Sequence, residues 1–129
     1  MGLSAETRRK LIRDHGFYKH ALEWQERAGF RCEFCSVDLL GSVDAYSVWE
    51  SEHIVPRKAG GLDVLENMAL ACRPCNQLKG TYDPRDEAGP EADRDALVPE
   101  ARRHVQQRRA RRHDELMDLR ALIQREMEL

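Results

Sequence analysis

Aromatic residues are scarce in this chain: three Phe, three Tyr and two Trp make up 6% of 129 residues. With 41% hydrophobic residues in all, only a modest core can form. A chain of this length buries a limited share of its unfolded surface, so external staples become useful. No apolar run approaches the roughly 18 residues that would argue for a membrane span. No basic-then-apolar leader opens the sequence. From these absences neither a membrane-spanning segment nor a signal peptide is expected, and the expectation is a cytoplasmic protein with no membrane partner. Cysteine is limited to four residues. Cytosolic thiols stay reduced, so four of them point to metal rather than disulfides. No internal repeat or low-complexity tract is present, and no organic cofactor is expected.

Charge is abundant, at 34% Asp, Glu, Lys and Arg, yet the net value is only −2. That average hides an uneven distribution. Asp83 to Asp95 holds six acids against two arginines, and Glu100 to His113 holds six arginines against one acid. Local charge decides where a phosphate backbone can dock, so the net value is a poor guide to nucleic-acid binding.

Ser4 as N-cap, Glu6 in the first turn and Gly16 as terminator predict a first helix. Phe17, Ala21, Trp24 and Ala28 recur at helical spacing up to Gly29 and predict a second, its stripe packed on the core. Val43–Ser51 alternates β-branched and aromatic residues and reads as a strand. Pro56–Asp63, with Gly60-Gly61, reads as a loop, and Met68–Ala71 as the partner strand. Pro74 suits the first turn of a short helix ending at Gly80. Tyr82–Pro99 reads as an acidic linker or irregular surface loop. Beyond Pro99 there is no Gly or Pro. Roughly thirty helical residues would span about 45 Å. The division read from this is a helical segment (1–29), a core (30–81), a linker (82–99) and a carboxy-terminal helix (100–129).

Two C-x-x-C pairs, Cys32/Cys35 and Cys72/Cys75, use every cysteine and are separated by 36 residues. Tetrahedral Zn²⁺ takes four soft ligands, and a two-residue spacer lets both sulfurs of a turn face one ion. A closed four-thiolate site has no open position, so this zinc is expected to be structural. Such a site can supply about 10–16 kcal/mol of apparent folding free energy.

Between and after the cysteine pairs run Glu52-His53-Ile54-Val55-Pro56, Gly60-Gly61, Glu66-Asn67 and Cys75-Asn76-Gln77-Leu78-Lys79-Gly80. In that order they resemble the HNH (ββα-metal) endonucleases, in the bacterial and phage branch that pairs the motif with two C-x-x-C knuckles. The resemblance covers about Arg31 to Gly80. It implies an α+β fold: a small zinc-stapled ββα-metal core, flanked here by amino-terminal helices and a long carboxy-terminal helix. It also implies an enzyme that hydrolyses DNA phosphodiesters with a divalent ion such as Mg²⁺ or Mn²⁺. Histidine is the side-chain type suited to a general base near neutral pH, which makes His53 the candidate base. Glu52 and Asn76 offer hard oxygen ligands for the ion. The family position matching Asn67 orders the loop and orients the base. The sequence departs from commoner family letters in Asn76, where histidine is frequent, and in Glu52, where aspartate is frequent. Adjacent strand residues face opposite ways, so Glu52 and His53 can converge only where the strand ends. Asn76 follows Cys75 directly, so the zinc staple would also position a catalytic ligand.

Arg57 and Lys79 are candidate contacts to the scissile phosphate. Arg102, Arg103, Arg108 and Arg109, with Arg111 and Arg112, are candidate DNA-backbone contacts or a solvated charged face. His15, His20, His104 and His113 read as surface residues. Leu116, Leu119, Leu122, Ile123 and Met127 form an apolar stripe suited to packing on the amino-terminal helices or to a homodimer. Two other readings stand beside the nuclease: a non-catalytic zinc-knuckle nucleic-acid-binding module, and an interaction subunit of a larger assembly.

Overall fold

The structure, a computed structural model, describes residues 2–128. The chain order is α1 (Ala5–His15), α2 (Lys19–Arg27), α3 (Val43–Tyr46), β1 (Trp49–His53), β2 (Met68–Cys72), α4 (Arg73–Lys79), α5 (Arg85–Ala88) and α6 (Arg94–Gln124). The fold is α+β, with one antiparallel hairpin at its centre. Its register pairs Trp49 with Cys72, Glu52 with Ala69 and His53 with Met68. All five residues of β2 are buried, because helices or loops cover both of its faces.

The first cysteine turn is tied onto this hairpin. Glu33 N donates to Leu70 O, and Leu70 N donates to the Glu33 carboxylate. Phe34, Leu39, Ile54, Leu70 and Val105 are completely or almost completely buried around it. The α2 stripe packs as expected, with Ala21 and Trp24 buried and Trp24 Nε1 donating to Ser51 Oγ. Ser4 and Gly16 cap α1.

Three local expectations are corrected. Val43–Tyr46 is a helical turn, not strand, and pairing begins only at Trp49. Ser42 explains the difference: its side chain accepts from Ala45 N and nucleates the turn, local chemistry that outweighs β-branched composition. Second, the carboxy-terminal helix starts at Arg94, ahead of Pro99. Asp93 caps it, accepting from Ala96 N. Pro99 cannot donate to the Asp95 carbonyl. Both residues are exposed, so water can serve that carbonyl. Leu97, Ala101 and Val105, one buried stripe, hold the helix down. Third, of the linker and the irregular surface loop expected over Tyr82–Pro99, the segment before Arg94 is a packed irregular loop with one short helical turn. Pro84 is fully buried, and Arg85 joins Asp83 to the Ala59 carbonyl.

His104 is also not a plain surface residue. Its ring stacks on Tyr82, with centroids 3.7 Å apart and 4° between planes. Beyond Ala110 every described residue of α6 is exposed, including Leu116, Leu119, Leu122 and Ile123. The stripe therefore meets nothing within this chain. No helix among the described residues is long and apolar enough to cross a membrane.

Candidate active site and metal centre

The two cysteine turns meet at the end of the hairpin. All four sulfurs lie within 4.8 Å of one another, and Cys35 and Cys72 are 3.8 Å apart. Tetrahedral Zn²⁺ with bonds of about 2.3 Å requires sulfurs about 3.8 Å apart, so the residues fit the ion. This is the one such cluster of His, Cys, Asp and Glu among the described residues. Hydrogen bonds from Cys72 and Cys75 drive the Cys32 thiol far down. The Cys72 thiol, which shares its proton with Cys32, is pushed up to about 11. Four crowded thiols cannot each ionise alone, but a shared cation satisfies all of them.

From this staple α4 runs back beneath the hairpin. Strand alternation separates the side chains of β1. Glu50 and Glu52 face α4, while Ser51 and His53 face α2. The convergence of Glu52 and His53 expected at the strand end therefore does not occur: both residues are still in the regular ladder. The Asn76 amide donates to Glu50 Oε1 at 2.6 Å, and Arg73 donates to Glu50 Oε2 at 2.8 Å. Lys79 Nζ donates to Glu52 Oε1 at 3.1 Å, to His53 O at 3.0 Å and to Tyr82 O at 3.3 Å. Burial raises the pKa of the Glu52 carboxyl, while Lys79 and, more weakly, the nearby His53 favour its charged form. Burial likewise lowers the Lys79 pKa, opposed by Glu52.

On the other face His53 Nε2 lies 2.6 Å from Asp63 Oδ1. Asp63 is gripped in turn by Arg57 through two bonds of 3.1 Å. The hydrogen bonds from His53 and then Arg57 hold the Asp63 carboxyl below its ordinary value. An ionised carboxylate only accepts, so Nε2 is the donor, and in the neutral ring Nδ1 is the atom that accepts. His53 forms part of a cleft of about 570 Å³ whose walls include Tyr18, His20, Trp24 and Leu65.

Asn67 clamps the intervening loop. It accepts from Val55 N at 2.8 Å, and it donates to Val55 O and Leu62 O, both at 3.0 Å. Gly61 passes so close to the chain that an added Cβ would sit 1.8 Å from the Val55 carbonyl oxygen. Only glycine fits there.

Several sequence-predicted contacts have other partners. Lys79, expected at a scissile phosphate, is fully buried and cannot reach one. Arg102 donates to Glu33 O and Ser36 Oγ, and Arg103 is paired with Glu100. Arg109 Nη2 lies 2.9 Å from Cys75 Sγ. Arg57 is largely exposed but paired with Asp63. Arg108 and Arg111 line an open groove of about 690 Å³ between α4 and α6, with Gln77 and Gln107. The sequence reading missed Glu50 and Asp63. Glu50 was findable, since it shares a strand face with Glu52. Asp63 had no comparable signal, because loop geometry brings it to His53.

A hairpin with four clustered cysteines at its end, followed by a short helix and with a Glu-His pair at the end of β1, is a ββα arrangement. Residues 32–81, about two-fifths of the chain, match the family model described as HNH endonuclease. No curated protein matches the chain.

Proposed function

We propose that this protein is an endonuclease that hydrolyses DNA phosphodiesters with a divalent cation such as Mg²⁺ or Mn²⁺, acting in the cytoplasm. The observation that carries the reading is His53 at the strand end. Its Nε2 is fixed on Asp63, so Nδ1 is available to take a proton from the attacking water. Glu52 and Asn76 are the residues that would hold the cation, which would supply charge stabilisation at the phosphate and leaving oxygen. They fit it in kind, on condition that Glu52, buried on the α4 face and paired with Lys79, turns toward the His53 side of the strand. Lys79 engages Glu52 through Oε1, and Asn76 donates through its amide nitrogen to Glu50, so its carbonyl oxygen is the end left for a metal. Glu50 thus sets the amide's orientation. Asn67 holds Val55 and the Gly-Gly loop in register with His53.

Arg108 and Arg111 provide the backbone-binding groove, beside the helix that carries Asn76. The exposed apolar half of α6 supports a second role, assembly with another copy of the chain. Light scattering at micromolar concentration reads that directly: a dimer mass is expected for the full chain and a monomer mass after Leu119→Glu.

The test of function is cleavage of plasmid, linear, single-stranded and branched DNA by zinc-loaded protein. Metal-dependent cleavage of at least one form is expected. No cleavage of any form with either Mg²⁺ or Mn²⁺ would remove the nuclease reading.

A further inference from the structure

Four thiolates around Zn²⁺ over-neutralise the ion, so a centre of this kind is a net anion. Here it would be a buried one, since Cys32, Cys72 and Cys75 are all less than 5% exposed. A buried charge is costly unless it is paired and hydrogen-bonded. One cation contacts it: Arg109 Nη2 reaches Cys75 Sγ at 2.9 Å. No other Lys or Arg group donates to a cysteine sulfur among the described residues.

Arg109 is also the end of a row. Arg102 and Gln106, two turns and one turn before it on the same face of α6, bond the Glu33 and Phe34 carbonyls between Cys32 and Cys35. The long helix thus touches the first knuckle through its backbone and the second through sulfur.

We infer that Arg109 is the charge partner of the zinc centre. It is a positioning residue for the centre and not a DNA contact. The sulfur-bound guanidinium stabilises the ligated thiolates and retards their release. The inference stands apart from the nuclease reading, because it concerns zinc retention alone.

The test uses the full zinc-loaded chain challenged with excess chromogenic chelator. Arg109→Gln is expected to release zinc roughly tenfold to a hundredfold faster, the usual effect of removing an outer-shell partner. Arg109→Lys should recover most of the retention, and Arg108→Gln should match the wild type. In Co²⁺-loaded protein, Arg109→Gln should move the sulfur-to-metal charge-transfer band to longer wavelength, because the sulfur lone pairs lose a positive neighbour. Unchanged release, or faster release with no band shift, would overturn the inference. Should Arg109→Gln not fold, ¹¹³Cd-loaded wild type decides. A scalar coupling from cadmium to an Arg109 guanidinium proton is expected, and its absence counts against the contact.

Discussion

Lys79 shows how one side chain can serve the fold while sitting inside a functional motif. It is completely buried, and its ammonium reaches Glu52, the His53 carbonyl and the Tyr82 carbonyl. Removing it would strand the Glu52 carboxylate in a site with almost no solvent. Breaking a buried pair in this way costs about 3–5 kcal/mol. Lys79→Met is therefore expected to lower unfolding free energy by that order in a urea titration, and Lys79→Met with Glu52→Leu should regain much of it. An unchanged midpoint for the single variant would show that the contact carries no weight. His104 gives a pH-dependent counterpart. Burial first, then Arg108 and Arg103, lowers its pKa below the ordinary 6.5. The unfolded chain therefore binds the proton first, and the stability present above about pH 6.5 is lost as pH falls through and below that value. Melting temperatures at pH 7.5 and 5.5 should differ less for His104→Phe than for wild type.

At the level of elements, much of the architecture was readable from residue patterns. The caps of α1, the α2 stripe, β2 and the short helix after Cys72 all lie where local chemistry places them. Misreadings arose where one strong local signal competed with packing. Pro99 reads as a boundary, yet Leu97, Ala101 and Val105 bury themselves across it. Val43–Tyr46 reads as strand, yet Ser42 caps a turn. The site divides similarly. The cysteines, Glu52, His53, Asn67 and Asn76 are named by spacing and resemblance. The Asp63–His53 and Arg109–Cys75 contacts depend on loop closure and helix docking, which no periodicity encodes. The Gly-Gly loop is a sharp case. Gly61→Ala would drive a methyl into the Val55 carbonyl, so a loss of about 2 kcal/mol or more is expected from backbone displacement. Calorimetry checks this, and a neutral result would mean that the loop can shift freely. The outer half of α6 behaves oppositely. Residues 111–128 are exposed throughout, so ending the chain at Ala110 should leave zinc retention and the melting temperature of the core within about 2 °C of the parent, as expected for residues outside the packed core.

For the molecule as a whole, the zinc centre, the hairpin and α6 form one connected unit. Cys75 is followed by Asn76, Asn76 bonds Glu50 on β1, and Arg109 returns from α6 to Cys75. Stripping zinc should therefore abolish the cooperative unfolding transition, since the metal can contribute more than the usual net stability of a small domain. The charge map of the folded molecule also revises the picture of nucleic-acid binding. Several of the arginines in the basic stretch are spent on internal contacts, leaving Arg108, Arg111 and Arg112 along the α4–α6 groove, the last of them paired with Glu115. DNA affinity should accordingly fall with salt along a shallow slope of about two phosphate contacts, shallower still for Arg108→Gln with Arg111→Gln. The central claim is that His53 is the base of a metal-dependent nuclease. The most direct measurement is single-turnover cleavage of the best DNA form by zinc-loaded wild type and His53→Ala in saturating Mg²⁺, with DNA affinity measured alongside. The account predicts a rate at least about a hundredfold slower for the variant with unchanged affinity. Equal rates at equal affinity would contradict it.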